Sequence, residues 1–255
     1  MLVVVGCGTV VPEPDTGGSS FWADLGSTRA LIDCGPGAVQ AMARLGLPWP
    51  DITDLVLTHF HADHIGALPG FFFSLTHGLL PAVRAEPLDV WGPPGTGALL
   101  SGLADVLGSF VLDPGFEVRV HEIQPGQQVR MPSGAQLRSF KTPHTDESQA
   151  VHLSAPAGSV GYSGDSGPCP ELGDFMRGVD VLVCECSFTD DWTGDNHLSP
   201  LEVVRIAGRA APRELVLTHV YPHVRQAHDV VALVRSHGYE GSVRLASEGL
   251  EVPLR

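Results

Sequence analysis

The 255-residue sequence predicts an α/β domain on three observations. Short Val- and Leu-rich runs recur, each closed by glycine, proline or polar residues, as buried strands require. Between them lie stretches with apolar residues at helical spacing: Ala38, Ala41, Met42 and Leu45 in one, Leu201, Val204 and Ala207 in another. The string Leu-Val-Leu-Thr-His also occurs twice, ending at His59 and at His219, each time after such a helical stretch and a short polar link. The length can bury a sizeable core, so residues 1–255 are expected to form one domain.

Taken in order, Leu2-Val3-Val4-Val5 reads as a first strand and Gly6-Cys7-Gly8-Thr9 as a tight turn. Leu31-Ile32 is a strand end, followed by the turn Asp33-Cys34-Gly35-Pro36-Gly37 and the first helical stretch. Residues 48–50 and 93–97 are proline-marked turns, and Leu55-Val56-Leu57 is a buried strand. Leu137-Arg138-Ser139-Phe140 is strand-like; 149–154 and 159–162 form two strands around a turn at Pro156-Ala157-Gly158. Ser199-Pro200-Leu201-Glu202 has an N-cap serine, proline at the first helical position and a capping-box glutamate. Leu215-Val216-Leu217 closes the series of strands.

Thr58-His59-Phe60-His61-Ala62-Asp63-His64 places three imidazoles and a carboxylate within six positions, directly behind a buried strand. Neutral imidazole and carboxylate are ligands that zinc, manganese and iron accept. A continuing strand would point His59 and His61 the same way, toward one ion, and a following helix would swing Asp63 and His64 toward a second. The pattern predicts a two-metal hydrolytic centre.

This H-x-H-x-D-H motif resembles the signature of the metallo-β-lactamase superfamily. The resemblance implies a four-layer αββα sandwich with the metals at one edge, between the two sheets. It also assigns the remaining ligands. His144, in Thr142-Pro143-His144, would join His59 and His61 at the first ion. Asp165, in Tyr162-Ser163-Gly164-Asp165-Ser166, would bridge, and His219 would join Asp63 and His64 at the second. The two Leu-Val-Leu-Thr-His units fit the pseudo-twofold symmetry of such a fold. Two divalent ions are expected, Zn2+ by default, with Mn2+ or Fe2+ also accepted by the donor set. A bridging hydroxide would be the nucleophile, with Asp63 placed to orient it.

Finer features resemble the ribonuclease Z and phosphodiesterase branch: the Gly6-Cys7-Gly8-Thr9 turn, the Asp33-Cys34-Gly35 stretch, whose Asp would support metal ligands, and Gly66-Ala67-Leu68-Pro69-Gly70. Val183-Cys184-Glu185-Cys186-Ser187 and Asn196-His197-Leu198-Ser199 resemble that branch's paired Glu and His motifs. There His197 would reach the scissile phosphate and Glu185 would hold its ring, raising the basicity of the free nitrogen. The likeness departs in two places. Ribonuclease Z carries a long basic arm that grips transfer RNA, whereas only twenty residues separate His144 from Asp165 and leave no room for it there. The branch's S-x-R-Y after the last ligand is replaced by Val220-Tyr221-Pro222-His223.

The expected activity is therefore a metal-dependent phosphodiesterase acting on a small-molecule or short phosphodiester. The alternatives are a carboxyl-ester, thioester or lactone hydrolase on the same fold, or a non-catalytic metal-binding scaffold. A diiron oxygen-reducing relative would carry Glu where this chain has His61. The net charge of −14, with a single lysine, Lys141, among fifteen basic residues, makes RNA a less favoured substrate. Five cysteines without framework spacing favour a reducing cytoplasm. Cys184 and Cys186 are expected as buried small hydrophobes on one strand face. No run of eighteen apolar residues is present, so no membrane association is expected. Phe71-Phe72-Phe73 is expected in the core or on a homodimer surface. Trp192, between Glu185 and His197, is a candidate for the pocket border.

Overall fold

Alternating side chains on apolar strands build the molecule, which is described for residues 1–255 by a computed structural model. The first half runs β1 (Leu2–Gly6), β2 (Ser20–Asp24), β3 (Arg29–Ile32), α1 (Ala38–Arg44), β4 (Asp54–Val56), α2 (Ala62–Ile65), α3 (Leu68–His77), β5 (Leu88–Gly92), α4 (Thr96–Leu107) and β6 (Val118–Glu122). The second runs β7 (Gln128–Arg130), β8 (Gln136–Lys141), β9 (Gln149–Ala155), β10 (Gly158–Tyr162), α5 (Glu171–Phe175), β11 (Val181–Glu185), α6 (Pro200–Ala210), β12 (Glu214–Thr218), α7 (Pro222–Ala227), α8 (Val230–Ser236), β13 (Val243–Leu245) and β14 (Glu251–Val252).

The strands form two seven-stranded sheets, ordered β14-β1-β2-β3-β4-β5-β6 and β13-β12-β11-β10-β9-β8-β7. Three apolar clusters separate four layers. Leu2, Val4, Phe21, Val56, Leu153, Tyr162, Val183 and Val216 pack between the sheets. Val3, Val5, Leu55 and Leu57 face the helices of the first half, meeting Met42, Phe71 and Phe72. Leu182, Cys184, Leu215 and Leu217 face those of the second, meeting Val203, Ile206 and Val234. The period-2 alternation thus sends successive residues of a strand into different cores. This is the αββα sandwich that the sequence predicts. No helix is long and apolar enough to cross a membrane.

The two sheets repeat one pattern. In the first, β14, β1, β2 and β3 pair antiparallel and β3, β4, β5 and β6 pair parallel. In the second, β7 to β10 pair antiparallel and β10 to β13 parallel. This order makes β4 the counterpart of β11 and β5 that of β12. The repeated Leu-Val-Leu-Thr-His string lies on β4 and β12, so its copies are offset by one strand and do not mark the pseudo-symmetry. Both copies nevertheless put their leucines on the helix side, their valine between the sheets and a histidine just past the strand's carboxyl end.

Three local expectations are corrected. β4 ends at Val56, so His59 and His61 lie in the following loop and strand alternation does not aim them. The ladder stops there because the Asp33 carboxylate takes Thr58, accepting from its backbone N–H at 2.8 Å and its hydroxyl at 2.8 Å. Ser199 is the N-cap residue of α6, but its side chain makes no cap bond; Asp190 accepts from Leu201 N–H at 2.9 Å, and Glu202 pairs with Arg205. The buried face of α6 is Val203, Ile206, Ala207 and Ala210, with Leu201 and Val204 only half-buried. Of the phenylalanine run, Phe71 and Phe72 are buried and Phe73 is exposed against Phe110.

Candidate metal centre

The parallel strands of both sheets deliver their carboxyl ends to one rim. Asp33 follows β3, His59 and His61 follow β4, Asp165 follows β10, Glu185 ends β11 and His219 follows β12. In open α/β sheets this end is where ligands bind. Close packing of backbone completes the approach. A Cβ on Gly18 or Gly35 would lie 2.3 Å from the Asp63 carbonyl oxygen, so glycine at both positions lets the 33–37 turn sit against the start of α2. Asp33 and His219 are two of only three non-glycine residues with left-handed backbone, at φ 55° and 54°.

All seven predicted ligand residues come together. His59, His61, His144 and Asp165 form one group, and Asp63, His64 and His219 another, with donor atoms within 4.8 Å of one another in each. Asp165 spans both: Oδ1 lies 3.3 Å from His64 Nε2, and Oδ2 lies 3.6 Å from His144 Nε2 and 3.5 Å from His219 Nε2. Asp63 Oδ2 is 3.2 Å from His219 Nε2. His61 Nδ1 and His144 Nε2 approach to 3.1 Å.

The surroundings fix which ring nitrogen carries the proton. His64 Nδ1 donates to Asp33 at 2.7 Å, and His144 Nδ1 donates to the Asn196 carbonyl at 2.8 Å. Thr58 Oγ gives its only proton to Asp33, so at 3.1 Å it accepts from His59 Nδ1. Ser187 Oγ gives its proton to Glu185 at 2.5 Å and accepts from His219 Nδ1 at 3.0 Å. Four rings therefore use Nδ1 in a hydrogen bond and turn Nε2 to the centre, the orientation in which imidazole binds metal.

Part of this inward-facing set has no hydrogen-bond partner: His59 Nε2, His64 Nε2 and Asp165 Oδ1 are buried without one. Such atoms are costly unless paired. Four carboxylates, Asp33, Asp63, Asp165 and Glu185, are buried around them. Burial pushes Asp165 up, but His219 and His64 outweigh it and hold its carboxyl well below the usual range. Burial opposes charge on His64 too, yet Asp165 and Asp33 raise it well above the usual imidazole value, so this position favours a cation. His59 and His144 are driven down by burial and stay neutral. Orphaned donors in an anionic cage fit divalent ions of the kind the fold implies.

Glu185 and His197, predicted as a pair, meet at 3.1 Å through His197 Nδ1. Burial lowers the imidazole, but the bond to Glu185 outweighs it and raises His197 above the ordinary value. Glu185 is fully buried and also accepts from Ser166 N–H at 2.5 Å, Leu198 N–H at 3.2 Å and Ser187 Oγ. Sequence reasoning missed Ser187 and Asn196. The i,i+2 spacing of Glu185 and Ser187 is the one signal that could have found the serine; Asn196 acts through its backbone, which leaves no trace in residue type. Trp192 does not line the site's cavity; it stacks on Phe188, whose ring centre is 5.6 Å from that of His197.

The site opens into a cavity of about 300 Å3 lined by Val10, Asp63, His144, Asn196, His197 and Tyr221 among others. A larger cavity, about 680 Å3, lies at the opposite ends of β3 to β6. There Arg29 pairs with Asp51, Arg119 with Asp89, and Arg84 with four backbone carbonyls. Size alone does not make it the chemical site, because its arginines are already engaged by carboxylates and backbone carbonyls.

Fold and site together define a metal-dependent hydrolase class, and residues 28–220 match the model of the Beta-lactamase superfamily domain. The chain belongs to this superfamily. It is 32% identical to an uncharacterized protein of Mycobacterium leprae (strain TN), over 97% of this chain and 86% of that protein. It is 27% identical to the ribonuclease Z of Haloferax volcanii, over 98% of this chain and 94% of the relative. Among solved structures, the metallo-beta-lactamase fold protein YhfI from Bacillus subtilis superposes with a TM-score of 0.80 at 23% identity, covering 98% of this chain and 96% of that one. The short form of human tRNase Z gives 0.79 at 20% identity, covering 100% and 99%.

Proposed function

We propose that this protein is a phosphodiesterase with a dinuclear metal centre, resembling ribonuclease Z but acting on a small or short phosphodiester. The observation that carries the reading is the Glu185–His197 pair at the edge of the metal-ligand cluster, where Asp165, His197 and His219 also come within 4.8 Å. A phosphodiester's leaving alkoxide needs a proton, and an imidazole held by a buried carboxylate is placed to supply it.

His59, His61 and His144 would hold one ion and Asp63, His64 and His219 the other, with Asp165 between them. When bound, two divalent ions supply a water of lowered pKa and neutralise charge on the phosphoryl oxygens. Zinc is the expected metal, since neutral imidazoles dominate the donor set. Glu185 takes the His197 Nδ1 proton in a hydrogen bond, which orients the ring and leaves Nε2 for the substrate. Its raised basicity keeps a proton available to the leaving oxygen. Asp63 stands beside the cavity, placed to orient the attacking group.

The cavity lining favours a small substrate. No lysine or arginine lines it, so it offers one phosphate position and no track for a polynucleotide backbone. Tyr221 is the aromatic side chain on its wall, backed by Phe188, which stacks on it at 4.6 Å. The alignment to the Haloferax ribonuclease Z runs to 307 positions against a 255-residue chain, so that relative carries insertions this chain lacks. Metal-loaded protein should hydrolyse bis(p-nitrophenyl) phosphate in preference to lactones and precursor RNA. Exclusive lactone turnover would overturn the proposal.

A further inference from the structure

Fourteen of the fifteen basic side chains are arginine; Lys141 alone is lysine. It is the last residue of β8, and the seven residues after it form the loop that carries His144 to the centre. Its ammonium has no carboxylate partner. Instead Nζ donates to three backbone carbonyls of that loop: Thr142 at 3.0 Å, Ser148 at 3.3 Å, and Thr145. One of these precedes His144 and two follow it. Three acceptors converging on one point match the three donors of an ammonium, whereas a guanidinium spreads its donors over a planar fork. That geometry accounts for lysine here in a chain that otherwise uses arginine.

The rest of the loop is tied at its flanks. Thr142 Oγ donates to the Asp165 carbonyl at 2.9 Å, Gly167 N–H to the Pro143 carbonyl at 2.7 Å, and Thr145 N–H to Ser148 Oγ at 2.7 Å. The His144 ring has one outward link, to the Asn196 carbonyl. We propose that Lys141 is a positioning residue for His144: its ammonium gathers the carbonyls on both sides of that histidine and so fixes the direction of Nε2 toward His61. The proposal rests on the assignment of His144 as a metal ligand.

Zn2+ affinity by chelator competition and the visible spectrum of the Co2+ form test it on full-length Lys141→Met, Lys141→Arg and His144→Ala. Lys141 is solvent-exposed, so the metal-free variants should unfold at the wild-type temperature. Both lysine variants should bind one of the two zinc equivalents about 10- to 100-fold more weakly, the scale of losing an outer partner of a ligand, with an altered Co2+ spectrum. His144→Ala should lose that equivalent. If His144→Ala does so while Lys141→Met keeps wild-type affinity and spectrum, the positioning role is overturned. Wild-type behaviour of Lys141→Arg overturns it too, by assigning the effect to charge alone. If His144→Ala binds both ions normally, the ligand assignment and the positioning role fall together.

Discussion

His64 Nδ1 lies 2.7 Å from Asp33 Oδ2, with both side chains fully buried. The carboxylate fixes the ring's orientation and tautomer, and through Thr58 it does the same for His59. One residue at the edge of the first sheet thus aims two imidazoles into different donor groups. Asp33→Asn keeps the shape, and asparagine tolerates the left-handed backbone at this position. Zinc affinity should nevertheless fall by about 10- to 100-fold in chelator competition. Unchanged affinity would show that Asp33 serves the fold alone.

Saturated protein should hold close to two transition-metal ions per chain by elemental analysis, because seven ligand residues gather in two donor groups, with Asp165 reaching both. Removing metal leaves buried carboxylates and lone pairs facing one another, so the chelated protein should melt at a lower temperature. Restoring zinc should raise the melting point in a concentration-dependent way, since a ligand that binds only the folded chain stabilises it by mass action. Saturation at one ion would defeat the dinuclear assignment.

His197→Ala should lower phosphodiester turnover by about 10²- to 10⁴-fold while metal content stays near wild type. Glu185→Gln is expected to do more than weaken that ring. Glu185 also receives the Ser187 proton, and Ser187 orients His219, so the amide should reduce metal affinity as well as rate. Loss of metal in His197→Ala would place that histidine among the ligands instead.

Burial, helped by Arg138, lowers His152 to about 4. Below its unfolded value near 6.5 the unfolded chain binds a proton that the folded chain refuses. This contribution to stability is therefore complete above that pH and is lost as the pH falls toward 4, by up to about 3 kcal/mol. His152→Gln should flatten the denaturation midpoint between pH 6.5 and 4 relative to wild type. Parallel profiles would rule this out.

Of the five cysteines, Cys169 alone is not buried, and no disulfide is present. Burial raises the Cys34, Cys184 and Cys186 thiols far above the ordinary value, and it raises Cys7 as well. A thiol reagent should titrate one group in the native protein and all five after unfolding. Rapid reaction of Cys184 or Cys186 would contradict their packing against the helices.

The sequence by itself determined the strand and helix pattern and the His59-to-His64 cluster, and its resemblance to the superfamily pointed to the four layers and the remaining candidate ligands. Residue type and short-range spacing carry the first part: three imidazoles and a carboxylate stand within six positions directly after an apolar run. Tertiary structure decided what each side chain does. His64 meets Asp33 across 31 positions and His219 meets Asp63 across 156, and such contacts set tautomers and charge without any local signature. The same reason explains the two misplacements. The end of β4 depends on a carboxylate from the turn after β3, and the repeated Leu-Val-Leu-Thr-His string reports a local pattern of burial, whereas the symmetry of the sandwich is fixed by which strands pair.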